Sequence, residues 1–381
     1  MEVQQSGPVS LNTEVGRTAA VTGASGFIGG RLVERLVEQG VAVTCLLRGK
    51  PSARLQRTGA TFLTIDVADV DALAAALREI DWVFHCAYDW NDEEWNFKAL
   101  RALISVCREN GRTRLVHTSS FVVYDLPPAG EVTEETIGTT ATCGYGHVKR
   151  ELDHELLKAV RQGGLQATIV QPTIVYGPRS VPWTNDPADM LLNGTVVLPD
   201  RGEGICNAVY VDDVVGGMIL AASESAAVGQ RFLISGEPVT WGQFYEAMAK
   251  AAGAKGPVYL PAEVIARENK KVRKLLRIAT SPRRIVRILA QRRLSGKLLR
   301  AGLRLLPATT RTGVRDQLYG RASRQRGHVH MPDMGHLNFL QGQSTIRSGK
   351  AHRLIGYVPQ YDLAAGMVTT AKYLSEIKVR T

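Results

Sequence analysis

The chain has 381 residues, 44% of them hydrophobic, which argues against a disordered class, and no apolar run approaches the ~18 residues a membrane span needs. That length exceeds a usual single domain, so one large domain with an added lobe is expected. The net charge of +11 is concentrated: residues 267–326 hold 19 Lys/Arg against two acids (Glu268 and Asp316), while the remainder holds 28 basic and 34 acidic residues.

The opening MEVQQSGPVSLNTEVG is polar and lacks the apolar stretch of a secretory signal, so it reads as a short tail before the first strand. Residues 17–23 form that strand and open into the glycine turn TGASGFIG (22–29). Gly23, Gly26 and Gly29 leave the backbone bare enough for its amides to approach a pyrophosphate, and the helix start adds partial positive charge. Phe27–Gln39 carries a helical apolar stripe closed by Gly40, and VAVTCLL (41–47) is a continuous apolar run typical of a doubly covered parallel strand. An acid is usual at the end of such a second strand when the ribose 2′-hydroxyl of NAD is bound. Here the stretch reads Leu47-Arg48-Gly49-Lys50. Arg48 suits a 2′-phosphate instead, which favours NADP(H) over NAD(H).

Strand patterns follow at 60–66, 82–87, 114–120 and 166–172, with helical patterns at 69–79 and 93–109. The alternation implies an α/β chain with a Rossmann-type, doubly wound parallel sheet. Tyr145-Gly-His-Val-Lys149 places a phenol one helical turn from an ammonium. Lys149 and a positive nicotinamide would both favour the phenolate, making Tyr145 a workable acid/base despite an ordinary pKa near 10. After YGP (176–178) the rhythm loosens, returning at 209–222 and 230–235. The expected division is a dinucleotide-binding domain over 1–176, with 206–235 returning to it, and a smaller, mostly helical substrate lobe over 177–381. The five cysteines are scattered without a CxxC pair, so neither a disulfide framework nor a metal site is indicated, and a reducing, cytoplasmic setting is expected.

Taken together, TGASGFIG, Ile65-Asp66-Val67, FHCA (84–87), LVHTSS (115–120), YGHVK, PTIVYGP (172–178) and VYVDD (209–213) resemble the extended short-chain dehydrogenase/reductases, the NAD-dependent epimerase/dehydratase superfamily. The resemblance runs from about 17 to 250 and resumes near 350–359. It implies that Ser25, Phe27 and Ile28 join the glycines around the cofactor, that Asp66 and Val67 contact adenine, and that His85, Cys86 and Ala87 line the adenosine ribose. Asn96 would support a proton-relay water. Ser120, four residues before Tyr124, would polarise the substrate carbonyl. Pro172 and Tyr176 would lie in the segment covering the nicotinamide, and Lys149 would also hold its ribose.

Departures from the family narrow the reading. Dehydratases carry two acids where this chain has Phe121 and Val122, so elimination lacks its acid and base. Many sugar-nucleotide epimerases clamp the diphosphate with an arginine at the place of Cys206, and a thiol cannot neutralise that charge. Gln171 stands where many relatives have arginine. The expected activity is therefore NADP(H)-dependent interconversion of a ketone and a secondary alcohol on a small-molecule substrate. A nucleotide-sugar epimerase with retained cofactor is the alternative, and a non-catalytic cofactor-sensing or membrane-docking protein stands behind both.

Residues 262–344 form a basic, helical insertion. Val272, Leu275, Leu276 and Ala279 make one apolar stripe, Ser281-Pro282 is a helix-start signal, and Ile285, Val286 and Leu289 continue the apolar side. Such helices suit an anionic membrane surface, an acidic carrier protein or a phosphorylated substrate, and equally a solvated face over an ordinary core. Nucleic acid is disfavoured because aromatics are not interleaved. A homodimer is compatible with the sequence, which leaves oligomeric state open.

Overall fold

In a computed structural model that describes residues 17–127, 129–279 and 328–378, the alternating apolar pattern becomes alternating strands and helices. β1 (Thr18–Thr22) turns through the glycines into α1 (Phe27–Glu38), whose Leu32, Val33 and Leu36 form its buried face, and β2 (Ala42–Leu47) follows. Next come α2 (Ala53–Gln56), β3 (Thr61–Thr64), α3 (Val70–Leu77), β4 (Trp82–His85), α4 (Glu93–Asn110) and β5 (Arg114–Thr118). Asp69 and Asp92 cap α3 and α4 by accepting the N–H groups of Ala72 and Trp95, satisfying donors that a helix start leaves unpaired.

The strand pattern read as 114–120 stops at Thr118. Ser120 instead caps a 3-10 turn, Phe121–Val123, which brings its side chain out of the sheet. β6 (Ala129–Val132), α5 (Gly144–Arg161), β7 (Gln166–Pro172) and β8 (Ile174–Tyr176) follow. Further along lie α6 (Asp186–Asn193), β9 (Gly194–Pro199) and β10 (Ile205–Cys206). The VYVDDVV segment divides into β11 (Ala208–Tyr210) and α7 (Val211–Ser223), and β12 (Arg231–Ile234) comes after it. β13 (Val239–Thr240), α8 (Trp241–Ala252), β14 (Val258–Leu260), α9 (Ala262–Ala279), β15 (His328–His330) and α10 (Met334–Gln341) precede the closing β16 (Gln343–Ile346), α11 (Gly349–Ile355) and α12 (Leu363–Lys378).

Two compact units result. The first takes the described residues up to Asn185, then Cys206–Val239 and the chain from Gln343 onward. Its seven-stranded sheet has the order β12-β7-β5-β4-β1-β2-β3, all neighbours parallel. The chain winds outward in one direction from β1 through β3, then in the other from β4. The reversal lies between β1 and β4, where a crevice at the strands' carboxyl ends receives ligands in such folds. Leu73, Leu77, Leu100, Leu103, Leu115, Leu152 and Leu156 belong to one buried cluster contributed by α3, α4, β5 and α5.

The C-terminal segment differs from the expected division, in which 206–235 returned to the dinucleotide-binding domain but the end of the chain stayed in the substrate lobe. β16 pairs with β6, and the backbone N–H groups of Gln360 and Tyr361 donate to the buried Asp213 carboxylate on α7. These bonds tie 343–378 into the first unit. The second unit comprises Asp186–Ile205 and Thr240–Gly342. Its described part is built on the parallel sheet β14-β9-β15 with Val197, Ile265 and Leu337 at its centre. α9 covers the start of the basic insertion. Ser281-Pro282 and the apolar positions 285–289 lie outside the described residues, as do the side chains of the stripe at 272–279.

Candidate active site

At the switch point the glycine turn is held close to β4. Gly23 has φ +67°, and a Cβ there would stand 2.6 Å from the Ala87 nitrogen, so both the conformation and the space require glycine. A Cβ on Gly29 would meet the Gly23 carbonyl oxygen at 2.4 Å, which lets α1 begin directly against the turn. Gly26 is the N-cap of α1 and offers no side chain to its amides, and the first turn holds no acid. A helix start left without a cap or an acid, opened to solvent at Ser25 and Gly26, fits the pyrophosphate of a dinucleotide. Phe27 and Ile28 are half-buried on the first turn.

The adenosine end is more elaborate than the motifs suggest. Arg48 leaves β2 and donates through Nη1 to Asp89 Oδ2 at 2.7 Å, with its guanidinium 4.9 Å from the centre of the Trp95 ring. Trp95 Nε1 in turn donates to Asp66 Oδ1 at 2.9 Å. Val67 is buried beside the exposed Asp66. Arg48 and Asp66, assigned to the 2′-substituent and to adenine, are thus joined through an indole that sequence reasoning passed over. Its position on α4, one residue before Asn96, was the available signal. Asn96 is buried, and its side-chain hydrogen bonds serve the 89–92 turn: Oδ1 accepts from Asp89 N–H at 2.8 Å, and Nδ2 donates to the carbonyls of Asp89 and Asp92 at 2.8 and 3.0 Å. The geometry gives Asn96 the work of shaping that turn, where the resemblance gave it a relay water.

At the other end of the crevice, α5 presents Tyr145 and Lys149. Gly146 between them packs against the 3-10 turn: a Cβ there would lie 2.7 Å from the Val122 carbonyl oxygen. That close approach seats the first turn of α5 on the element that Ser120 caps. Ser120 Oγ accepts from Val122 N–H at 3.4 Å, which leaves its hydroxyl hydrogen available to a substrate oxygen. Lys149 is buried and donates from Nζ to the Thr118 carbonyl at 2.8 Å. The ammonium sits 4.6 Å from the Tyr88 ring centre and 5.9 Å from that of Tyr145. Burial pulls its pKa down, and the carboxylate of Asp153 and the thiol of Cys86 oppose that pull. Trp90, 41% exposed, stacks on Tyr145 with centroids 4.8 Å apart, and Tyr88 meets both rings edge-on. The sequence reading had no place for this aromatic group, although Tyr88 and Trp90 directly follow FHCA.

Beneath Lys149 lies a buried polar layer. Asp153, one turn further along α5, accepts from Ser119 Oγ at 2.9 Å and from Gln171 Nε2 at 2.8 Å, and Gln171 Oε1 accepts from Tyr124 Oη at 2.8 Å. Gln171, a departure without an assigned consequence, is therefore the bridge between β7 and the turn after β5. His85 and His117 are register partners on β4 and β5, stack at 5.3 Å, and are both held neutral by burial. The Cys86 thiol accepts from Thr118 Oγ1 at 3.5 Å, and burial pushes it up to about 11, away from reactivity. Pro172 and Tyr176 end β7 and β8 and are buried, with Tyr176 Oη donating to the Asp362 carbonyl at 3.4 Å. Cys206 is fully buried, so this position offers no group to a diphosphate. Among the described residues no cluster of His, Cys, Asp or Glu is arranged to hold a metal, and no helix is long and apolar enough to cross a membrane.

Known proteins resemble this chain in sequence and in fold. It is 30% identical over 258 residues to sterol demethylase protein B of Methylococcus capsulatus, covering 63% of this chain and 76% of that protein. It is 28% identical to the 2-alkyl-3-oxoalkanoate reductase of Shewanella oneidensis, covering 58% of this chain and 62% of the reductase. The UDP-glucose 4-epimerase structure from Thermotoga maritima superposes with a TM-score of 0.64 over 95% of this chain and 99% of its own, at 20% identity, a likeness of fold. The NAD dependent epimerase/dehydratase family matches residues 19–235, from β1 to the end of β12, and so takes in the glycine turn, Ser120, Tyr145 and Lys149. With that span and this crevice, the chain is an enzyme that belongs to the NAD dependent epimerase/dehydratase family.

Proposed function

We propose that the enzyme is an NADP(H)-dependent oxidoreductase that interconverts a ketone and a secondary alcohol on an apolar carbon skeleton. The observation that carries this reading is the Tyr145–Lys149 arrangement, with a buried ammonium over two phenol rings and Ser120 on the turn against which α5 begins. When bound, the nicotinamide supplies a site that accepts or donates hydride. Tyr145 Oη carries the accompanying proton, giving it to the substrate oxygen in reduction and taking it in oxidation. Lys149 stabilises the phenolate, and Ser120 donates a hydrogen bond to the same oxygen as its charge grows.

Several observations set this above an epimerase that oxidises and re-reduces one sugar carbon. Cys206 is sealed in the core, and Phe121 and Val123 are buried apolar residues on the turn after Ser120. The exposed Trp90 beside Tyr145 offers an aromatic wall. Relatives named for sterol and 2-alkyl-3-oxoalkanoate chemistry are in keeping with it. The deciding experiment is to denature the purified enzyme, quantify released nicotinamide, and follow NADPH consumption with a 3-ketosteroid and a 2-alkyl-3-oxo acid. Little retained cofactor and stoichiometric NADPH loss with either ketone are expected. A tightly retained nicotinamide together with UDP-sugar epimerisation, and no net NADPH loss, would establish the epimerase instead.

A further inference from the structure

The residue that faces the proposed 2′-phosphate ligand is an acid. Asp89 Oδ2 holds Arg48 Nη1 at 2.7 Å, while its other oxygen accepts the backbone N–H groups of Asn91 and Asp92 at 2.9 and 3.2 Å. Asn96 fixes the Asp89 backbone from both sides. Asp89 is therefore not a mobile surface carboxylate that happens to meet an arginine. It is built into a turn and aimed at Arg48, which is 60% exposed at its side chain while Asp89 is only 18% exposed. Trp95 under the guanidinium completes the setting.

We propose that Asp89 is a specificity-determining residue that restrains the preference for NADP(H) by occupying and neutralising Arg48, a role that rests on the reading of Arg48 as the 2′-phosphate ligand. A 2′-phosphate arriving at Arg48 must share or displace the Asp89 carboxylate and approach a like charge. A 2′-hydroxyl, uncharged, meets neither opposition. The Arg48 contact holds the Asp89 carboxyl below the usual range, so the carboxylate is ionised throughout the neutral region where cofactors bind. The turn also carries Trp90 against Tyr145, so the same loop reads the cofactor at one end and packs on the proton donor at the other.

The test measures dissociation constants of NADP⁺ and NAD⁺ by calorimetry for wild type, Asp89→Asn, Arg48→Ala and the double variant. Asparagine keeps an oxygen for the Asn91 and Asp92 amides, and Asp89→Ser keeps a hydroxyl acceptor should the first variant fail to fold. Asp89→Asn should tighten NADP⁺ by roughly two- to fivefold, the scale of an exposed ion pair, while NAD⁺ stays the same within error. In the Arg48→Ala background the same change should do much less, because the pair is already broken. Arg48→Ala alone should weaken NADP⁺ more than NAD⁺. If Arg48→Ala weakens both equally, the cofactor reading falls and this inference with it. If Arg48→Ala discriminates but neither Asp89 variant shifts the NADP⁺/NAD⁺ ratio, Arg48 keeps its role and Asp89 is only a structural cap.

Discussion

Gly146 shows how one missing Cβ positions a proton donor. Alanine is the better helix former by about 0.8–1 kcal/mol, so propensity alone favours Gly146→Ala. Against that stands the Val122 carbonyl, 2.7 Å from where the methyl would go, a separation that forces backbone to move. Sterics should win locally and shift the first turn of α5, with Tyr145 on it, away from the Ser120 turn. Since an error of 1 Å in a reacting group can cost ~10²-fold, a shift of a few tenths of an ångström should lower kcat/KM on the order of tenfold with little change in Tm. Unchanged kcat/KM would show that this contact does not set the tyrosine's position. Glycine turn, tyrosine and lysine were legible because their spacing is local. Trp95, Trp90 and Asp89 were not, because an indole or a carboxylate near a motif gains meaning only once strands bring residues 48, 66, 89 and 95 together.

At the level of elements, β4 and β5 carry the buried His85 and His117 side by side, and this has a consequence for stability. Burial drives the folded-state pKa of His85 down to about 3 and that of His117 well below 6.5, with the Lys149 charge adding to both shifts. Unfolded imidazoles bind protons below about 6.5, whereas the folded ones do not. The unfolded state therefore takes up more protons, and each histidine's contribution, present above about pH 6.5, is lost as pH falls below that, for His85 down to about 3. The slope is about 1.4 kcal/mol per pH unit for each histidine. Asp153 acts in the opposite sense, because burial raises its carboxyl and the folded state then holds a proton the unfolded state has released. His117→Gln should accordingly flatten the dependence of unfolding free energy on pH just below the ordinary imidazole range by up to roughly that 1.4 kcal/mol per unit. Denaturant titrations at several pH values give the slope, and an unaltered one would mean that His117 is not buried neutral. The strands themselves were readable from their apolar runs, with ends misplaced by about two residues where Ser119 and Ser120 leave β5. The sequence could not show that 343–378 returns to the dinucleotide unit, since that depends on β16 finding β6 some 210 residues away.

Across the whole molecule, family membership, the parallel sheet and the crevice at its switch point agree with what the motifs imply. The cofactor's 2′-substituent and the substrate belong to finer features, a single ion pair and an aromatic wall, that no motif encodes. The basic segment that gives the chain its positive charge lies largely outside the described residues, and the proposed chemistry does not depend on it. That chemistry depends on one phenol. The most direct test is turnover by Tyr145→Phe with the ketone that wild type reduces, alongside the dissociation constant of NADP⁺. Phenylalanine keeps the ring against Trp90 and Tyr88 and removes the hydroxyl that carries the proton. The account predicts a fall in kcat of ~10²–10⁴-fold with cofactor affinity changed by less than about threefold. Turnover near the wild-type rate would contradict it, and would move the proton donor to another group.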